Sequence, residues 1–106
     1  MIKNTEQCPI TNAMLMVGGK WKPIIIFVLS TGKLRFGKIA FLIPIISRKV
    51  LTQQLRELER DGILTRTVYS ETPPRVEYEL TNMGRELLPV YNMLAEWSKK
   101  YTLEDV

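Results

Sequence analysis

Lys49, Gln53, Arg56 and Arg60 follow one another at intervals of four, three and four residues, the spacing that stacks side chains along one side of an α-helix. Lysine, arginine and glutamine reach phosphate oxygens and the base edges of a major groove, so this row offers recognition chemistry rather than bond-making chemistry. Catalysis is poorly supplied. The 106 residues contain no histidine, so neither a Ser-His or Cys-His nucleophile nor an imidazole metal site can be built. Glu57, Glu59 and Asp61 make an acidic run spread over two faces of their helix. Gly18 and Gly19 lack the spacing of a phosphate-cradling loop. No enzyme, metal or cofactor is expected. One reactive group stands apart: Cys8, the only cysteine, precedes Pro9 at the start of a helix, where backbone N–H groups and the helix dipole favour a thiolate. The ordinary role of a lone cysteine is a small buried residue, and redox or electrophile sensing is the alternative that this helix start favours.

The polar row must be held outward by something beneath it. With Leu55 at zero on a wheel of about 100° per residue, Leu51 and Leu58 lie within roughly 60° of it, and the donors lie opposite. Ser47 is a good N-cap and Gly62 stands at the C-cap, so the helix is marked at both ends. Taken alone, such a helix is more often an ordinary solvated one. Its neighbours change that weighting. Arg35 to Leu42 carries Phe36, Ile39, Ala40 and Ile43 at helical spacing until Pro44 ends it, and two short helices joined this tightly form a helix-turn-helix unit. After Gly62, Leu64, Arg66 and Val68 alternate with Thr65, Thr67 and Tyr69, and Val76, Tyr78 and Leu80 alternate with Arg75, Glu77 and Glu79. Both runs read as half-buried strands. Ser70 to Pro74 cannot continue a ladder and forms the tip of the hairpin, or wing. The expected fold is therefore mostly α with a small antiparallel β wing, a winged helix-turn-helix.

Three further segments surround that unit. Thr11 to Val17 predicts a short apolar helix stopping at Gly18 and Gly19. Ile24 to Leu29 leaves helix and strand both open, and Pro23 with the Ser30-Thr31-Gly32 stop favours a fully buried helix. Lys33 and Leu34 suit a short extended piece. Thr81 caps a last helix in which Met83, Leu87, Val90, Leu94, Trp97 and Tyr101 make an a/d seam, with Pro89 expected to kink it. With Tyr91 beside that seam and Met14, Leu15 and Met16 on the first helix also needing cover, a homodimer through Met14, Leu15, Leu87, Val90, Tyr91, Leu94, Trp97 and Tyr101 is expected.

The totals agree with a polyanion partner. Residues 1–56 hold nine Lys and Arg against Glu6 alone, a net of +8, while residues 57–106 hold six against ten acids, a net of −4. Phosphate neutralisation supplies much of any nucleic-acid affinity, so the basic half points to double-stranded DNA. No helix has the continuous basic face opposite Trp, Phe and Leu that a membrane surface would want. The longest apolar run, Ile39 to Ile46, is far short of a membrane span, and the N-terminus lacks an apolar signal core. A single cytoplasmic domain over residues 1–106 is expected, without repeats or linkers.

Three stretches together resemble the HxlR family of bacterial transcriptional regulators, winged-helix relatives of the MarR type: CPITNAMLMVGGKWKPII from Cys8, LRFGKIAFLIPIISRKVLTQQLRELERDGIL from Leu34, and TVYSETPPRVEYELTNMGRELLPV from Thr67. The resemblance implies a DNA-binding homodimer with its recognition helix in the major groove and terminal helices at the dimer contact. By the same resemblance, base recognition falls on Ser47, Arg48, Lys49, Thr52, Gln53 and Arg56. Backbone contact falls on Arg35 and on Arg75 in the wing, and Lys20 and Lys22 flank Trp21 as further phosphate contacts. A cysteine near position 8 is common in the family, and in some members it resembles a redox or electrophile sensor that crosslinks subunits. One departure is Ile45, where the family usually has Gly; a β-branched residue is strained at positive φ, so either the turn differs or Ile45 makes its own apolar contact. A regulator of this kind is expected to repress. The competing class is an interaction module that binds another protein, or a small aromatic ligand in the dimer cleft.

Overall fold

The computed structural model describes residues 8–101; the expected domain span runs past them at both ends. Helix α1 covers Pro9–Val17, two residues more than Thr11 implied, because Pro9 sits at the first helical position, where its missing N–H costs nothing. Helix α2 covers Lys22–Val28 and tightens into a 3-10 turn at Leu29–Thr31. Strand β1 (Leu34–Arg35), α3 (Phe36–Leu42) and α4 (Arg48–Arg60) follow, then β2 (Leu64–Tyr69), β3 (Arg75–Leu80), α5 (Asn82–Arg85) and α6 (Leu87–Tyr101). The sheet is antiparallel with β3 between β1 and β2, pairing Leu34 with Tyr78 and Leu64 with Leu80. The core lies where α2, α3 and α4 meet the base of the sheet, around Ile25, Ile26, Leu29, Ile39, Leu51, Leu55, Leu58, Ile63 and Leu64, all fully buried.

The step from α4 into the wing is set by two glycines for different reasons. Gly62 has φ 80°, and the Ile63 N–H donates to the Leu58 carbonyl at 2.9 Å while the Gly62 N–H donates to Glu59 at 3.1 Å. This is a Schellman closure, which wants a residue without a Cβ at the left-handed position. Gly84 is needed for space: a Cβ there would collide with the Ile63 carbonyl. Thr81 joins both ends of this junction, donating its hydroxyl to the Gly62 carbonyl at 2.6 Å and accepting from the Gly84 N–H at 3.1 Å. The L-T-x-x-G string is thus the clasp that folds the last helices back over the base of the wing.

Three expectations are corrected. Pro89 does not kink one long helix; the helix breaks at Glu86, because a proline at 89 cannot bond the Arg85 carbonyl and its ring would clash with it. The chain restarts with Pro89 in the first turn of α6, where an N–H is dispensable. Strand β2 is not half-buried: beyond Leu64 it is exposed up to the half-buried Tyr69, since it is the sheet edge and α4 covers only its base. Segment 24–29 is helical as favoured, but Ile24 and Phe27 are exposed, so α2 buries one face rather than all of it.

Candidate nucleic-acid interface

Ser47 opens α4 as expected, its hydroxyl accepting from the Val50 N–H at 3.1 Å. Leu51, Leu55 and Leu58 form a fully buried floor, which fixes the rotation of the helix and so fixes what faces out. Arg48, Lys49, Gln53, Arg56 and Arg60 are all exposed. From Arg48 to Arg56 the ridge extends about 12 Å at 1.5 Å per residue, close to the width of a major groove. The members differ in freedom. Lys49 and Arg56 have no hydrogen-bond or ion-pair partner among the described residues. The Arg48 guanidinium lies 5.5 Å from the Phe36 ring centroid, a cation–π contact with the first residue of α3. Gln53 donates a long 3.4 Å bond to Glu57, and Arg60 is held in bidentate fashion by Asp61 at 3.2 and 3.3 Å. Thr52 is half-buried on the side turned to the wing, and Arg35, the N-cap residue of α3, is exposed.

The supporting cations divide less evenly. Lys22 is not a surface contact: it is 6% exposed, and its Nζ lies 2.7 Å from Glu57 Oε1. This pair ties α2 to α4 and, with Gln53 helping, holds the Glu57 carboxyl below its ordinary pKa of 4.5. Sequence reading missed it because position 57 looked solvated and the partner lies 35 residues earlier. Lys20 is exposed, with its ammonium 4.8 Å from the Trp21 centroid. Arg75 stacks 4.0 Å from the Tyr69 ring and lies 3.0 Å from Glu71 and 3.5 Å from Glu77, so its charge is already neutralised within the wing. Arg66 is the wing cation that sequence reading passed over, bonded to Glu59 across the Gly62 turn at 3.2 Å. No non-glycine residue has positive φ among the described residues, and Ile45 is 78% exposed. The turn before α4 therefore differs from the glycine form, and Ile45 makes no buried contact of its own.

A model of the HxlR-like helix-turn-helix family matches residues 16–105. The chain belongs to that family. HTH-type transcriptional regulator YdeP of Bacillus subtilis (strain 168) is 48% identical over 96 residues, spanning 91% of this chain and 75% of its own. Redox regulator HypR, solved in its oxidised form, superposes with a TM-score of 0.83 at 43% identity, covering 93% of this chain and all of that one. The reduced form of the transcriptional regulator YodB from B. subtilis gives 0.82 at 37% identity, with 94% and 99% covered. As a member of this family the chain is a DNA-binding transcriptional regulator.

This HxlR-like chain also presents an apolar face, on α1, α2 and α6. No residue of α6 is buried. Leu87, Leu88 and Tyr91 pack partly on the chain's own core, and the Tyr91 hydroxyl, whose pKa burial pushes up to about 12, donates to the Val17 carbonyl at 2.8 Å. Of the expected interface, Leu87 and Tyr91 are therefore already partly committed. Met14, Leu15, Val90, Leu94, Trp97 and Tyr101 are exposed, Trp97 by 63%. Between α1, α2 and α6 lies an open apolar groove of about 480 Å³ lined by Met14, Ile24, Phe27 and Leu94. Cys8 is exposed at the head of α1; the backbone N–H groups of Ile10 and Thr11 lower its thiol pKa. No single helix among the described residues is long and apolar enough to cross a membrane.

Proposed function

We propose that the protein is a homodimeric repressor that reads a two-fold symmetric operator, one α4 ridge per half-site. The observation that carries this reading is the exposed row Lys49, Gln53 and Arg56 above a wholly buried leucine floor. Ser47, Arg48 and Thr52 extend the reading surface toward the head of the helix, and Arg35 serves the backbone. Arg75 joins only by exchanging its carboxylates for phosphate. The exposed seam of α6 with Met14 and Leu15 supplies the dimer contact, since a lone chain would leave those side chains in water. Two symmetric helices then address half-sites about one turn, roughly 34 Å, apart. Bound there, a small dimer blocks polymerase.

A thiol response fits the same arrangement. The lowered pKa of Cys8 provides thiolate at the head of a dimer helix, and the related structures include an oxidised HypR, a diamide-treated YodB and a quinone-bound YodB. Oxidation or an electrophile at Cys8 would shift the dimer geometry and release DNA. The apolar groove beside Met14 and Phe27 suits an aromatic effector. The test is selection of bound duplexes from random DNA, followed by anisotropy titration with and without diamide. A palindromic consensus with spaced half-sites is expected, and its affinity should fall with diamide in wild type but not in Cys8→Ser. Failure to enrich any sequence would refute operator reading.

A further inference from the structure

A polar trough of about 240 Å³ lies between α4 and the wing, lined by Thr52, Arg56, Glu59, Arg66, Val76 and Tyr78. We propose that it seats one backbone phosphate of the bound duplex, gripped by Arg66 from the wing, with the base-reading Arg56 of α4 adding its charge at the trough wall; this rests on the operator reading above. Any duplex that takes α4 into its major groove and the wing into the next minor groove must pass the strand separating those grooves over this trough. The side chains are set for that passage. Arg66 pairs across the ladder with Tyr78, so both point to the α4 side of the sheet. Its Nε donates to Glu59 at 3.2 Å, so this contact holds the guanidinium by its inner nitrogen. Glu59 thus acts as a positioning residue that braces the guanidinium at Nε, and the Nη fork is the part with which arginine takes phosphate oxygens.

Charge agrees. Two guanidiniums face one carboxylate in the trough, leaving a single positive charge for a singly charged phosphodiester. Burial raises the Tyr78 pKa, so the residue at its floor stays neutral at physiological pH and adds no repulsion. The ordinary alternative is that Glu59 and Arg66 only staple the wing to α4.

The test uses the full chain, a duplex it has selected, and a set of that duplex carrying single neutral methylphosphonates. Between 50 and 200 mM salt, Arg66→Gln should lower the log-log salt slope by about 0.9 for each lost contact. Arg66→Lys should restore the slope, and thermal melting should be nearly unchanged in both because Arg66 lies on an exposed edge strand. One methylphosphonate per half-site that weakens wild type should have no effect on Arg66→Gln. An unchanged slope with an unchanged methylphosphonate profile overturns the phosphate seat and leaves the operator reading intact. A lowered slope with the full profile retained also overturns it, as an effect of general charge. No enrichment of any duplex by wild type overturns both.

Discussion

The α4 ridge and the α6 seam are both exposed helical surfaces, yet they are exposed for opposite reasons. Under the ridge, Leu51, Leu55 and Leu58 are buried within the same chain, and only side chains that water solvates well are left outside. Along the seam, Leu94, Trp97 and Tyr101 are themselves outside, so the chain has finished one helix and left the other in need of cover. A polar face over a complete core is ready to meet a polyanion, and the apolar face is the one that the proposed dimer would cover. Each can be broken separately.

The largest effect is expected at the ridge. Replacing Lys49, Gln53 and Arg56 together by Ala should weaken operator binding about 1,000-fold or more, since each such contact is worth about 1–3 kcal/mol. The melting temperature should barely move, because none of the three is buried. Next comes the seam: Leu94→Glu with Trp97→Glu should give a single species near 12.3 kDa by sedimentation, with operator affinity down about 100-fold from lost bivalency. A dimer that survives this change would mean that the cover is elsewhere.

A third change probes the brace beneath the ridge. Glu57→Ala strands Lys22, and chemical denaturation should show a loss of about 1–3 kcal/mol, below the value for a fully buried pair because Glu57 retains some exposure. Lys22→Met, which removes the buried charge and keeps an apolar stem, should cost less. The depressed Glu57 pKa gives a sign: its contribution is complete above the ordinary carboxylate value of 4.5 and is lost as pH falls through the lower folded value. Glu57→Ala should lack that part of the acid limb. The smallest effect is at Cys8, whose lowered thiol pKa should make alkylation a few-fold faster near neutral pH than for a free cysteine. Equal rates would remove the chemical basis for sensing.

What was legible in the sequence was what local chemistry dictates. Ser47, the leucine period and Gly62 define α4 within a few residues of one another, and Thr81 announces its helix in the same way. What was not legible needed distant partners. Lys22 reads as a surface cation until Glu57 is brought beside it, and Arg66 reads as a strand residue until the Gly62 turn sets Glu59 against it. Arg75 carried a DNA-contact expectation, and the carboxylates that hold it, Glu71 and Glu77, become its neighbours only once the hairpin closes. Ile24 and Phe27 are as apolar as Ile25 and Ile26, and no pattern inside one chain distinguishes a side chain buried by its own fold from one left for a partner. Pro89 was visible, but whether it bends a helix or splits it depends on how the Thr81 clasp holds α5.

Backbone amide shifts recorded while wild-type protein is titrated with its selected duplex test the central claim most directly. The largest changes should run along α4 from Ser47 to Arg56 and along the facing edge of the wing near Arg66, with α6 little affected. Changes concentrated on α1 and α6, with the ridge unmoved at saturation, would contradict it.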